Sequence, residues 1–268
     1  MRSALLVALL LAGCHRHHAS ALACPPAVGD ADALLGRGAS VVIGELHGTR
    51  ELPAAIGALA CAAVKTHAVV VGLEIWRTEQ ARLDAYLASD GGPAARRELL
   101  AGGFWTRDMQ DGRSSEAMAA LIESLRTWRA AGARIRLVAF DVASASGQAT
   151  RERAMADALI DARTNNRDAA LLVLVGNLHA RLTGGAITWM AQYLARAIPA
   201  LATFDAAYAS GSAWVCDDTG CGEKPIRGKD DRGPRRITRD PVLADDGSVI
   251  YSGHLHVGAI AASKPATP

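Results

Sequence analysis

Apolar residues in this chain come in blocks rather than in alternation. Runs at 40–46, 68–75, 134–141, 169–178 and 200–207 have the length of strands, and most are apolar throughout, as in Val69-Val70-Val71 or Leu171-Leu172-Val173-Leu174-Val175. A strand with one wet face alternates; a strand covered on both faces does not. Between these runs lie stretches of helical spacing, at about 51–65, 78–87, 94–100, 115–130, 151–163 and 186–197. The clearest stripe is Met118, Leu121, Ile122, Leu125 and Trp128, recurring every three or four residues. Strands alternating with helices of this length imply an α/β fold whose mostly parallel sheet carries helices on both faces. From Ser210 onward the pattern changes. Pro, Gly and charge crowd 217–241, and only 213–216 and 248–258 have strand character, expected as short antiparallel additions at the C-terminal edge of the sheet.

The apolar runs end in polar residues. The first gives Glu45 and His47, the second Glu74, the third Asp141, and the fourth Asn177 and His179. In open α/β sheets ligands gather at the carboxyl ends of the strands, so two imidazoles and three carboxylates are expected to converge there. The segments Gly44-Glu45-Leu46-His47 and Gly176-Asn177-Leu178-His179 repeat one arrangement, a buried strand followed by Gly-x-x-His. Buried charge of this kind needs a partner or a metal. Two mechanisms fit the residue types. His47, Glu74 and His179 could hold Mn, Zn or Co and polarise a water, with Glu45 as base. Alternatively His47 is the general base, oriented by Glu74, with Arg151 stabilising an oxyanion. A long loop at 102–115, rich in Gly and aromatics, is a candidate binding loop. Within it Asp111 and Arg113 are read either as substrate contacts, with Asn177, or as part of a helix entry capped by Ser114 or Ser115. His254 and His256 share one face of a strand-like run, expected as a solvent-facing pair on an edge strand. No Gly-x-Ser-x-Gly elbow and no phosphate-binding glycine loop occurs, which disfavours a serine hydrolase and a nucleotide enzyme.

Composition adds two exclusions. At 268 residues the chain suits one α/β domain, expected over 39–260 with a lead-in at 15–38 and a loose tail at 261–268. The formal net charge is only +2, with no basic stripe interleaved by aromatics, so nucleic acid is not the expected partner. The N-terminus changes the picture more. A short basic start and a short apolar run end in Leu11-Ala12-Gly13-Cys14, which resembles a bacterial lipobox; residues 1–14 are then a signal peptide and Cys14 carries a lipid. The alternative is cleavage after Ala23. Both export the chain to the cell envelope, the first with a membrane anchor. In that setting Cys216 and Cys221 are expected to close a small loop, and Cys24 and Cys61 to join, unless Cys61 is simply buried.

The paired Gly-x-x-His motifs, with Leu73-Glu74 between them, resemble the signature of the TIKI/TraB, ChaN-like and erythromycin-esterase-like superfamily. The resemblance spans roughly 40–180, and Arg151-Glu152-Arg153 resembles the Arg-containing segment of that group, with Arg151 the preferred match. It implies divergent activities: metal-dependent proteolysis, hydrolysis of a macrolide ester, or haem binding by an uptake lipoprotein. The expectation is therefore an exported hydrolase acting on an ester or amide of a small molecule or peptide, with a haem-binding lipoprotein of the ChaN-like type as the alternative.

Overall fold

The computed structural model describes residues 22–31, 34–229, 233 and 235–267. Cys14 and the rest of the expected signal segment lie outside them. The chain runs β1 (Ser40–Glu45), α1 (Glu51–Val64), β2 (Val69–Trp76), α2 (Gln80–Ala88), α3 (Pro93–Leu100), α4 (Gly103–Thr106), α5 (Glu116–Ala130), β3 (Ile135–Asp141), α6 (Gln148–Asn165), β4 (Ala170–Gly176), α7 (Met190–Ala197) and β5 (Leu201–Ala207). Short strands follow: β6 (Gly211–Asp217), β7 (Gly220–Ile226), β8 (Arg236–Thr238), β9 (Val242–Leu243), β10 (Val249–Tyr251) and β11 (Gly253–His256).

Seven strands form one sheet in the order β3-β2-β4-β1-β5-β11-β8, while β6–β7 and β9–β10 form separate two-stranded pieces. All pairings from β3 to β11 are parallel, and β8 alone runs antiparallel at the edge. This is the expected α/β architecture, with one difference: β11 joins the sheet parallel to β5. It is therefore flanked on both sides, and His254 and His256 are not an edge pair. His256 is buried and its Nε2 lies 3.0 Å from the Thr238 hydroxyl.

Why the strands lack alternation is visible in the packing. Val41, Ile43, Val71 and Leu73 meet Leu52, Ile56, Leu59, Leu83, Ile122 and Leu125 from α1, α2 and α5. The intervening Val42, Val70, Val173 and Val175 meet Met155, Leu159, Met190 and Leu194 from α6 and α7. Successive side chains thus enter two different cores, each fully buried Val, Leu or Ile contributing about 1.5–3 kcal/mol. Helix starts follow local chemistry. Pro93 occupies the first position of α3, and the Ser115 hydroxyl accepts the Met118 N–H to cap α5.

Both expected disulfides are closed, Cys24–Cys61 and Cys216–Cys221. They point to an oxidising, extracellular or periplasmic setting. No helix among the described residues is long and apolar enough to cross a membrane. The tail expected to be loose is pinned instead. Ser263 N–H donates to the Gly48 carbonyl at 2.8 Å, Glu116 N–H to Lys264 at 2.8 Å and Ala266 N–H to Ser114 at 2.9 Å. The cause is backbone pairing: Ala262 bridges Thr49 and Pro265 bridges Ser115, which the sequence pattern of a short polar tail does not reveal.

Candidate functional site

Strand β1 sits between β4 and β5, although β2 follows it in the chain, so the sheet reverses direction of growth there. The carboxyl ends of β1, β4, β2 and β3 therefore open onto one crevice. Two glycines let the turns approach. A Cβ on Gly44 would stand 2.9 Å from Asn177 Cα, and one on Gly176 would stand 2.8 Å from His47 Nε2. Each glycine of the repeated motif thus makes room for the other copy.

Glu45, at the last position of β1, is buried and bonds His47, its Oε1 lying 3.0 Å from Nδ1. The other ring nitrogen of His47 is 3.4 Å from Glu74 Oε2. Glu74 is the hub. Its Oε2 accepts the Gly176 N–H at 2.8 Å, and its Oε1 accepts Arg113 Nη1 at 3.0 Å and Arg151 Nη2 at 2.6 Å. The same two guanidiniums grip Asp141: Arg113 Nη1 at 2.8 Å from Oδ2, Arg151 Nη2 at 2.9 Å from Oδ2 and Arg151 Nε at 2.7 Å from Oδ1. Asp111 clamps Arg113 from the loop side, its Oδ2 at 2.8 Å from Nη2, and takes Arg107 Nη2 at 2.6 Å. Arg107 lies over the Phe104 ring, 4.4 Å from its centroid. On the far strand His179 is buried in a short 3₁₀ turn after β4, its Nδ1 2.7 Å from Glu152 Oε1 and its Nε2 3.4 Å from Arg151 Nη1.

All the strand-end residues expected to converge do so. Arg151 faces the crevice, whereas Arg153 pairs with Asp157 on the exposed side of α6. Asp111 and Arg113 belong to the charged network, and Ser115 caps the helix behind them, which is the helix entry read from the sequence. Asn177 meets its surroundings through its backbone, its carbonyl accepting the Tyr251 hydroxyl at 2.8 Å. Sequence reasoning passed over Glu152 and Arg107. The signal for Glu152 exists: with Met155, Ala156 and Leu159 it lies on the buried stripe of α6, where an unpaired carboxylate would be costly.

The electrostatics follow from this wiring. Burial pushes Glu45 above the ordinary carboxylate range. Burial pushes Glu74 upward too, but the charges of His47, His179, Arg113 and Arg151 hold it well below that range. Burial would lower His47, yet the Glu74 charge and the hydrogen bond that the ring donates to Glu45 outweigh it and raise it above 6.5. Asp111 is likewise desolvated, and its bonds to Arg113 hold it at about 2. The carboxylates form the floor, while the His47 side chain is 23% exposed and that of Arg151 19%.

A divalent cation on His47, Glu74 and His179 does not fit this donor set. Both Glu74 oxygens already accept hydrogen bonds, and two guanidiniums occupy the position between the carboxylates that a cation would take. Among the described residues no group of three or more His, Cys, Asp or Glu is arranged to hold a metal ion.

No protein-family model matches the chain, and no curated protein matches it. Among solved structures it is similar to a succinoglycan biosynthesis protein, with TM-score 0.56 and 10% identity over 84% of this chain and 88% of that one. It is also similar to a mutant of erythromycin esterase EreC in its open conformation, with TM-score 0.55 and 11% identity over 84% and 91%. The chain thus shares the fold of an erythromycin esterase, as the paired motif led us to expect. A structure of cofacial haem binding to ChaN of Campylobacter jejuni gives TM-score 0.43 at 12% identity over 66% and 84%, a level that bears on nothing further.

Proposed function

We propose that the strand-end site hydrolyses an ester or amide of a small molecule or peptide by proton transfer, without a metal. The observation that carries this reading is the Glu45–His47 couple, 3.0 Å apart, set beside two guanidiniums that carboxylates hold rigid. The Glu74 and Glu45 charges that raise His47 also make its ring a stronger base. The 3.4 Å gap between His47 Nε2 and Glu74 is long for a hydrogen bond and leaves that nitrogen to a water.

In this reading the water gives a proton to His47 Nε2 and the hydroxide adds to the substrate carbonyl carbon. The carbonyl oxygen becomes an oxyanion and takes an N–H of Arg151, whose Nη1 has His179 as its described partner and a second hydrogen to offer. Collapse breaks the bond to the leaving group, which takes the proton from the His47 imidazolium. Glu45 holds the ring in register and shares its charge; Glu74 and Asp141 hold the guanidiniums.

A generic activated ester tests it. The wild-type chain should turn it over, and His47→Asn should lose about 100-fold or more, the usual contribution of a positioned base. Equal rates in the two would end the proposal. A haem titration run beside it has the competing outcome: a Soret band with no ester turnover would move the chain to haem carriage. Lipid attachment at Cys14 belongs to the same proposal of an envelope protein, supported by the two disulfides. Labelled fatty acid should be incorporated by the wild type and lost in Cys14→Ser.

A further inference from the structure

We infer that Glu152 is a positioning residue that holds the His179 ring with its proton on Nδ1 and the Nε2 lone pair toward the crevice. The inference deepens the hydrolase reading and rests on it only for its catalytic consequence.

Glu152 is fully buried in α6. A carboxylate so placed is retained only when its oxygens are satisfied, and here three elements supply the donors. Its Oε2 accepts the N–H of Met190, the first residue of α7, at 2.8 Å. Its Oε1 accepts the Gln148 amide from one turn earlier in α6 and stands 2.7 Å from His179 Nδ1. An ionised carboxylate only accepts, so the His179 nitrogen facing it must carry a hydrogen. The opposite nitrogen faces Arg151 Nη1 at 3.4 Å, and a guanidinium only donates, so that nitrogen must offer its lone pair. The two neighbours, drawn from opposite sides of the ring, specify the same tautomer. Glu74 Oε1 is 3.9 Å from Nε2, beyond hydrogen-bond reach, and is occupied by Arg113 and Arg151. The ring also meets the edge of Trp189, 6.0 Å between centroids, which limits its rotation.

The consequence is a second carboxylate–imidazole couple beside the first. Glu45–His47 comes from the end of β1, and Glu152–His179 joins α6 to the end of β4. In the hydrolase the His179 Nε2 lone pair then orients the Arg151 Nη1 group beside it, the arginine that holds the oxyanion.

Side-chain nitrogen NMR on the full chain tests the placement without a substrate. The His179 signals, identified by their loss in His179→Asn, should show Nδ1 protonated and Nε2 unprotonated in the wild type. In Glu152→Gln the side-chain amide can turn an N–H toward Nδ1, so the population should move to the Nε2–H form. A wild-type ring protonated on Nε2, or a tautomer unchanged by Glu152→Gln, overturns the inference. If Glu152→Gln does not fold, the wild-type spectrum decides alone. Ester kinetics on the same samples read the other layer: Glu152→Gln should lower kcat/KM and displace its pH profile, which loss of packing alone would not do. Absent turnover in the wild type, with the tautomer as expected, sinks the hydrolase reading and leaves the placement standing.

Discussion

The two Gly-x-x-His turns are alike in sequence and different in wiring. In the first, β1 extends through Glu45, so the carboxylate that meets His47 is its neighbour two residues back. In the second, the strand stops at Gly176 and a 3₁₀ turn carries His179, whose carboxylate comes from 27 residues upstream on a helix. His47 is also the more open of the two, with a side chain 23% exposed against 11%. A local carboxylate is fixed by strand geometry alone, whereas a remote one holds its histidine only while helix and sheet stay docked. One motif can therefore deliver a partly exposed imidazole held by its own strand and a more buried one held by a docked helix to the same crevice.

The strongest way to break the comparison is to remove what both turns share. Arg113→Met leaves Glu74, Asp111 and Asp141 with fewer donors, and stranding a buried charge costs roughly 3–5 kcal/mol. Urea unfolding should show a loss of that size, and a loss under about 1 kcal/mol would mean Arg151 suffices for Glu74 and Asp141.

A smaller effect separates the turns. In Gly176→Ala the new methyl would meet His47 Nε2 at 2.8 Å but His179 Cδ2 at 3.4 Å, an ordinary contact. Stability should fall by about 1–3 kcal/mol, as overpacking does, and His47 should move while His179 keeps its resonances. Displacement of both rings, or of His179 alone, would contradict the asymmetry.

The least effect is expected from pH. Because the folded His47 lies above its ordinary 6.5, chiefly through Glu74 and Glu45 overcoming burial, protonation stabilises the fold. That contribution is complete below 6.5 and lost as pH rises through the folded value. The stability difference between wild type and His47→Gln should therefore shrink as pH rises above 6.5. A difference that grows over that interval would reverse the assigned sign.

Much of this molecule was legible in its residues, for identifiable reasons. The first five strands announce themselves because each feeds two cores, and the polar residues closing those apolar runs mark the crevice. Glu45, His47, Glu74, Asp141 and His179 are readable from position alone. What sequence hides is pairing. Nothing adjacent to His179 points to Glu152, and nothing adjacent to Glu74 says that its charge answers Arg113 and Arg151 rather than a metal ion. The same holds for β11, whose parallel partner β5 lies some fifty residues back, and for the tail, whose contacts are backbone bonds that leave no side-chain signature.

That pinned tail has a consequence for how the protein comes into being. The carbonyl of Gly48, next to His47, receives N–H groups from Trp214 and from Ser263. Strand β1 likewise waits for β4 and β5 before either edge is covered. A chain made from its N-terminus holds its first motif early and gains the contacts to Gly48 only once Trp214 and Ser263 are made. Closure around Gly48 accordingly waits for segments far along the chain, and contacts so distant in sequence favour slow folding. A nascent chain that has not reached Ser263 would carry the signature without the backbone bonds that hold Gly48 beside it.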